Sequence, residues 1–195
     1  MLSILIPSKL EPKIYEFIDK IEKVICPPQI IVYNDRYGQG KGYALREALK
    51  EATGDYFIFI DGDFDIQPYE IKKLIPYLPQ YDIVIGKKEL PERVDRKILT
   101  ILSRLWVRLL FRICEDSQTG IKGFSYKPSW EINGFAFDIE ILVRARKLNK
   151  KMITIPIQAI VSDTKSFQDI FITLIDSLMI WYNLIIRRKY DNIKV

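Results

Sequence analysis

Three aspartates, Asp61, Asp63 and Asp65, stand on alternate residues directly after the apolar run Tyr56 to Ile60. Carboxylates this close repel one another unless a cation sits among them. A divalent ion held by one or two carboxylates also binds phosphate oxygens well. The cluster is therefore expected to hold a metal ion, with Asp61, Asp63 and Asp65 as ligands. A plain acidic turn is the alternative, because Asp and Gly both favour turns. A turn, however, has no need of three aspartates beside so apolar a strand, and no Glu follows at the spacing of an EF-hand loop. Upstream, Gly38, Gly40 and Gly42 surround Lys41 at the mouth of a helix. Glycines let backbone N–H groups approach a phosphate, but the segment is neither a P-loop nor a dinucleotide fingerprint. Phosphate cradle and simple turn stand level at that position.

The rest of the composition narrows the chemistry. The chain has 195 residues, 48% hydrophobic and 28% charged, which fits one globular domain with a sizeable core. It has no histidine. That removes Ser-His-Asp and Cys-His mechanisms, histidine acid catalysis and His-ligated zinc. Cys26 and Cys114 are too few to complete a zinc site, and with no secretory signal at the N-terminus they are expected to be reduced and buried. Any metal must then be held by oxygen, which favours Mg2+, Mn2+ or Ca2+. The net charge of +5 is concentrated between Lys87 and Arg112, which suggests a local anionic partner.

The elements that must position the aspartates alternate along the first half. Leu2 to Ile6, Gln29 to Tyr33, Tyr56 to Ile60 and Asp82 to Ile85 read as strands. Pro12 to Val24, Lys41 to Ala52 and Ile71 to Leu78 read as helices between them. This rhythm predicts an open α/β sheet covered on both faces, with ligands beyond the carboxyl ends of its strands. The acidic cluster sits at one such end. The second half differs. Arg96 to Cys114 forms a long apolar helix with Arg104, Arg108 and Arg112 spaced four apart, beside Trp106 and Phe111. It reads equally as a helix lying in a membrane interface or as a core helix with a basic outer face. A second apolar helix over about residues 168–189 contains Asp176 and Asn183 and ends in Arg187-Arg188-Lys189. It is short for a membrane span and reads as interfacial or packed.

In order, these pieces resemble glycosyltransferase family 2, in its dolichyl-phosphate mannosyltransferase branch. Gly40-Lys41-Gly42-Tyr43-Ala44-Leu45 is similar to that family's GKG helix start. Gly54-Asp55-Tyr56, Asp61-Gly62-Asp63 and Pro68 resemble its passage from a Gly-Asp pair through a strand into an Asp-x-Asp motif. Asp82 to Gly86 is similar to the strand that follows, with Lys87-Lys88 where Ser-Arg is usual. Asp116 to Lys122, Phe137 to Glu140, Ile155-Pro156-Ile157 and Thr164-Lys165-Ser166 resemble its later motifs. The opening motif keeps only Pro7 and Glu11, and Gln29 to Asp35 is either the family's double-aspartate strand, with Asn34-Asp35 as the pair, or a later strand.

The resemblance implies a single GT-A domain over residues 1–195: an α/β, Rossmann-like nucleotide-diphospho-sugar transferase fold with a mixed, mostly parallel sheet between helices. It implies an inverting transfer from a GDP- or UDP-linked sugar, dependent on Mn2+ or Mg2+. Asp61, Gly62 and Asp63 would hold the donor with Glu11, Asp35 and Lys41, and the metal would neutralise the leaving diphosphate. For a hydroxyl acceptor on a glycan or protein, Asp116 is the expected general base. For a lipid-phosphate acceptor, already an anion, Lys88 and Lys122, with Arg96 and Lys165, are the expected cations. A cytoplasmic protein is expected, peripheral on the cytoplasmic membrane face if the acceptor is lipid-linked, with no nucleic-acid partner. A nucleotidyltransferase, a non-enzymatic surface adaptor and a nucleotide-sugar binder without turnover are the competing classes.

Overall fold

The computed structural model describes residues 1–9, 11–25, 28–89, 94–113, 119–159 and 167–191, without the side chains of Asp95, Arg96 and Phe167. Six strands form one sheet: β1 (Leu2–Ser8), β2 (Gln29–Asn34), β3 (Tyr56–Ile60), β4 (Ile83–Lys88), β5 (Ile121–Phe124) and β6 (Met152–Ile157). Their spatial order is β2-β1-β3-β5-β4-β6. The pairs β1–β2, β1–β3 and β4–β6 are parallel, whereas β5 runs antiparallel to both β3 and β4. The sheet is thus mixed and mostly parallel, as expected. Strand β5 is the departure, because a four-residue strand containing a glycine gives too little alternation to read from sequence. Its reversed direction has one large consequence. The start of β5 lies beside the end of β3, with Ile60 opposite Ile121.

Helices cover both faces, and each strand serves both cores by alternation. Ile4, Ile6, Ile58, Ile60 and Val84 point to the side carrying α1 (Ile14–Val24) and α3 (Ile71–Leu74). Leu5, Phe57, Phe59, Ile83 and Ile85 point to the side carrying α2 (Lys41–Glu51), α4 (Val94–Phe111), α5 (Phe137–Lys147) and α6 (Phe167–Ile185). In α1 the buried residues are Ile14, Phe17 and Ile21, the helical spacing that the sequence showed. Each such side chain, fully buried, contributes roughly 1.5–3 kcal/mol. On the other face an aromatic chain runs from Phe124 through Phe59 and Trp130 to Phe137, with ring centroids 4.7, 5.8 and 5.6 Å apart. It ties α5 to the sheet under the acidic cluster.

Helices α4 and α6 pack side by side, and the Trp106 Nε1 donates to Ser177 Oγ at 2.9 Å. Among the described side chains, only Val107 and Phe111 of α4 and Ile180 of α6 join the hydrophobic core as buried residues. Leu102, Leu109, Phe171 and Ile186 each leave more than half of their surface in solvent. Among the described residues no helix is long and apolar enough to cross a membrane. Of the expected arginine stripe, Arg104 and Arg108 lie on α4, whereas Arg112 falls just past its end. The helix ends at Phe111, and Arg112 takes a left-handed backbone with φ of 55°. Its carbonyl instead accepts a bond from Arg146, while half-buried Arg104 donates to the Lys88 carbonyl at 3.3 Å.

Candidate active site at the strand ends

The carboxyl ends of β1, β2, β3 and β4 and the start of β5 share one edge of the sheet, and sequence-predicted residues among the described ones gather along it. Asp61 follows β3, and its backbone N–H donates to the Gly120 carbonyl at 3.0 Å. A Cβ added at Gly120 would lie 2.3 Å from Asp61 Oδ2, so any larger residue there has to displace that carboxylate. The Asp61 carboxylate meets Lys41 Nζ at 2.7 Å, and both side chains are largely covered. Burial pushes the Lys41 ammonium down, but Asp61, Asp138 and Asp63 together outweigh it and hold it above its ordinary value. Asp138, at the start of α5, pairs in turn with Lys122 at 2.9 Å. Lys122 also donates to the Thr119 carbonyl at 2.7 Å. A chain of alternating charge therefore runs from Asp61 through Lys41 and Asp138 to Lys122, and returns along β5 to Gly120 and Asp61.

Asp63 sits beside this chain. Burial raises its carboxyl above the ordinary range, and the Asp61 charge raises it further. Its Oδ1 accepts the Asp65 N–H at 3.0 Å. The three aspartates do not converge, since among the described residues no three acidic side chains could share one metal ion. The strand ends at Ile60, and Phe64 turns left-handed with φ of 64°. The extended alternation that would keep residues 61, 63 and 65 on one side is lost there. What remains fits a cation completed by substrate rather than a three-carboxylate cage. Asp61 and Asp63 are close enough to repel, and oxygen ligands of this number suit Mg2+ or Mn2+ together with phosphate oxygens. A buried Thr119 hydroxyl without a partner among the described residues adds an open polar group at the start of β5.

The glycines around Lys41 answer to a different demand from phosphate. Gly40, with φ of 113°, and Gly42 lie against the 131–136 segment, where Cβ atoms would stand 2.4 Å from the Asn133 and Ile132 carbonyl oxygens. The Tyr43 N–H donates to the Asn133 carbonyl at 3.2 Å, and Trp130 Nε1 donates to the Gly42 carbonyl at 2.9 Å. The start of α2 is thus closed by protein. A segment about ninety residues away was not visible in the local pattern, and its packing is one demand that glycine meets at positions 40 and 42. Buried Glu140 fixes the same segment by accepting the Glu131 and Ile132 N–H groups, each at 2.9 Å.

Asp35 anchors the neighbouring loop. Its carboxylate accepts Gln39 N–H at 2.9 Å and Gly40 N–H at 2.7 Å. Together with Tyr33, Asn34, Arg36, Tyr37, Gln39 and Tyr43 it lines a cleft of about 400 Å³. The rings of Tyr33 and Tyr43 meet edge to face at 6.0 Å. Glu11, half-buried after β1, donates its N–H to Ser8 Oγ at 3.2 Å. Gly62 fits because a Cβ would press on Ile14 and Ile6, at 2.9 and 3.0 Å.

One expectation changes here. Lys122 is not an accessible cation for an acceptor: its side chain is 1% exposed and its ammonium is committed to Asp138. The antiparallel β5 turns it inward, which no local pattern predicted. Lys88, half-buried at the end of β4, keeps a place at this edge. Asp138 and Gly120 are the residues that the sequence reading undervalued. Their signal was present in the motifs that contain them, without a visible partner. Asp116, Lys165, Cys26 and Cys114 lie outside the described residues, as does the side chain of Arg96.

Residues 11–124, more than half of the chain, match the family described as Glycosyl transferase family 2. The chain is 30% identical over 132 residues to Glycosyltransferase AglD of Haloferax volcanii, covering 60% of this chain and 21% of AglD. It is 26% identical over 163 residues to Dolichyl-phosphate beta-glucosyltransferase ALG5A of Trichomonas vaginalis, covering 72% of this chain and 50% of that protein. It thus spans half or less of the length of these curated relatives. Glucosyl-3-phosphoglycerate synthase from Mycobacterium tuberculosis, solved with Mg2+ and uridine-diphosphate, superposes with a TM-score of 0.74 at 15% identity, over 94% of this chain and 78% of that one. Mannosyl-3-phosphoglycerate synthase from Rubrobacter xylanophilus superposes with a TM-score of 0.71 at 14% identity, over 94% and 74%. These two likenesses establish a shared fold.

Proposed function

The chain belongs to glycosyl transferase family 2, and from that premise we propose that it moves a sugar from a nucleoside diphosphate to an acceptor, with inversion at the anomeric carbon. The observation that carries this reading is the paired-charge cluster of Asp61, Lys41, Asp138 and Lys122 with under-compensated Asp63 beside it, all at the strand ends. In the transfer, an acceptor oxygen bonds to the anomeric carbon as the bond to the diphosphate oxygen breaks. The electron pair leaves on the diphosphate. Mn2+ or Mg2+, when bound, supplies neutralisation of that growing charge, with Asp63 and Asp61 as its carboxylate ligands. The nucleoside, uridine or guanosine, occupies the cleft between Tyr33 and Tyr37, which Asp35 holds open by fixing the 36–40 loop. Lys41, a short step along the chain, faces the diphosphate.

The acceptor that suits the rest of the surface is a lipid phosphate. Such an acceptor is already an anion and needs no general base, whereas a hydroxyl acceptor does. The name of the Trichomonas relative carries dolichyl phosphate. The open apolar sides of α4 and α6, flanked by Arg108 and by Arg187, Arg188 and Lys189, suit the interface of an anionic bilayer. On this reading the protein works at the cytoplasmic face of a membrane. Asp116 keeps the role of base only for a hydroxyl acceptor.

The test is a thermal-shift series of uridine and guanosine diphosphates and their sugars, with and without Mn2+, followed by calorimetry on Asp63→Ala. One nucleoside diphosphate should raise the melting temperature through mass action, and only with metal. Asp63→Ala should lose at least about a hundredfold in affinity, roughly 2.7 kcal/mol. Unchanged affinity in that variant defeats the assignment of the cluster.

A further inference from the structure

The sequence offers Lys41 as one more cation near a phosphate; its surroundings give it a more particular task. It is the first residue of α2, the positive end of a helix, where a cation is disfavoured. Its side chain is 16% exposed. Even so, the ammonium lies 2.7 Å from Asp61 Oδ1 and near the face of Phe137, 5.7 Å from the ring centroid. Its backbone has no freedom to follow a ligand. Asp35 holds the Gly40 N–H, and Gly42 is wedged under the Ile132 carbonyl and the Phe137 Cβ. Only the side chain can change partners.

The charges around it set what it can do. Asp61, Asp63 and Asp138 bring three negative charges, and Lys41 and Lys122 bring two positive ones. Lys122 is spent on Asp138. Lys41 therefore already supplies the positive charge that Asp61 and Asp63 would otherwise take from a metal ion. A divalent cation entering alone meets that ammonium and must break its pair with Asp61. A diphosphate entering alone meets Asp63. When both enter, the metal takes the carboxylates and the ammonium gains the diphosphate as its new anion.

We propose that Lys41 is a tethered counter-ion: it holds Asp61 in the free protein and exchanges that carboxylate for the donor's diphosphate, so that metal and donor bind as a coupled pair. This rests on the transferase reading above and gives one residue of it a positioning role. Reciprocal coupling between two ligands is then built into a single ion pair.

The test uses the full chain, Mn2+ followed by electron paramagnetic resonance, and inorganic pyrophosphate as the diphosphate probe. Wild type should bind Mn2+ weakly alone and more tightly with pyrophosphate. Lys41→Met should bind Mn2+ alone roughly tenfold more tightly than wild type, since no buried pair has to be broken. It should bind metal-free pyrophosphate more weakly, and the coupling factor between the two should shrink. Lys41→Arg, which keeps the charge, should follow wild type. Equal Mn2+ affinity in wild type and Lys41→Met, or an unchanged coupling factor, overturns the role of Lys41 alone. If wild type binds neither Mn2+ nor pyrophosphate, the transferase reading falls and this role with it. Should Lys41→Met fail to fold by circular dichroism, the side-chain resonance of Lys41 in wild type decides. It should shift with Mg2+ and pyrophosphate together, and a resonance unmoved at saturation overturns the proposal.

Discussion

The strand-end site and the α4–α6 pair treat their unfavourable groups in opposite ways. At the strand ends, the most deeply covered charged side chains each have a partner: Lys41 with Asp61, Lys122 with Asp138, Asp35 with two backbone N–H groups. At the helix pair, large apolar side chains lie open, with a hydrogen bond from Trp106 to Ser177 across the contact. Covering a charge is costly unless it is paired, so the first region is rigid in what it accepts. Leaving apolar surface open costs the fold little and suits a broad apolar partner. One region selects by electrostatics, the other by area. That division suits the transfer proposed above, from a charged donor to a lipid-linked acceptor.

Substitutions in the two regions should therefore differ sharply in what they disturb. The largest effect is expected from Lys122→Met, which leaves the Asp138 carboxylate buried and alone. The loss should be about 3–5 kcal/mol, a fall in melting temperature on the order of 10 °C for a domain of this size. Adding Asp138→Leu should restore much of it, because the uncompensated charge is gone; calorimetric melting of the three proteins measures both steps. A melting point unchanged in Lys122→Met would remove the argument that this side is built from paired charges.

Next comes Gly120→Ala. The added Cβ has to displace the Asp61 carboxylate, which costs roughly 1–3 kcal/mol of stability and should weaken Mn2+ binding in parallel. A folded Gly120→Ala with wild-type Mn2+ affinity would show that the site tolerates a shift of Asp61.

Protons give a smaller effect that belongs to the site alone. Burial, then Asp61, raises the Asp63 carboxyl in the folded protein above its ordinary 3.8. The folded state thus holds this proton more firmly than the unfolded one. Without metal, stability should fall as pH rises from 3.8 through the raised value, and melting curves of Asp63→Asn should lack that decline. Mn2+ affinity should drop on acidification already at the raised value, because proton and metal compete for the same carboxylate.

The smallest effect on stability is expected at the helix pair. Leu109→Gln with Phe171→Gln should each change stability by no more than about 0.5 kcal/mol. Together they should sharply reduce sedimentation with anionic vesicles, while nucleoside-diphosphate binding stays as in wild type. If wild type stays in the supernatant with such vesicles at low salt, the contrast between the regions loses its membrane half.

Much of the frame was readable from the chain. Runs such as Tyr56 to Ile60 and spacings such as Ile14, Phe17 and Ile21 mark strands and helices through their own periodicity, because each reports a local burial pattern. The position of Asp61 at a strand end followed from its neighbours, and the order of the motifs pointed to the family. The resemblance also led to Lys41, Asp61 and Asp63 before any partner was known.

The pairings needed the fold. Lys122 and Asp138 are 16 residues apart, and no spacing announces that an antiparallel strand turns one toward the other. The glycines beside Lys41 read equally as a phosphate cradle or a simple turn, and only the fold brings the Asn133 carbonyl against them. Asp65 looked like a third ligand because alternation was carried past the point where the strand stops. The four-apart arginines looked like a stripe because the helix was carried on to Cys114, past its end at Phe111. Periodicity is a property of neighbouring residues and survives in sequence. Which charge meets which depends on strand order, strand direction and the ends of elements, and those are set only when the whole sheet is assembled.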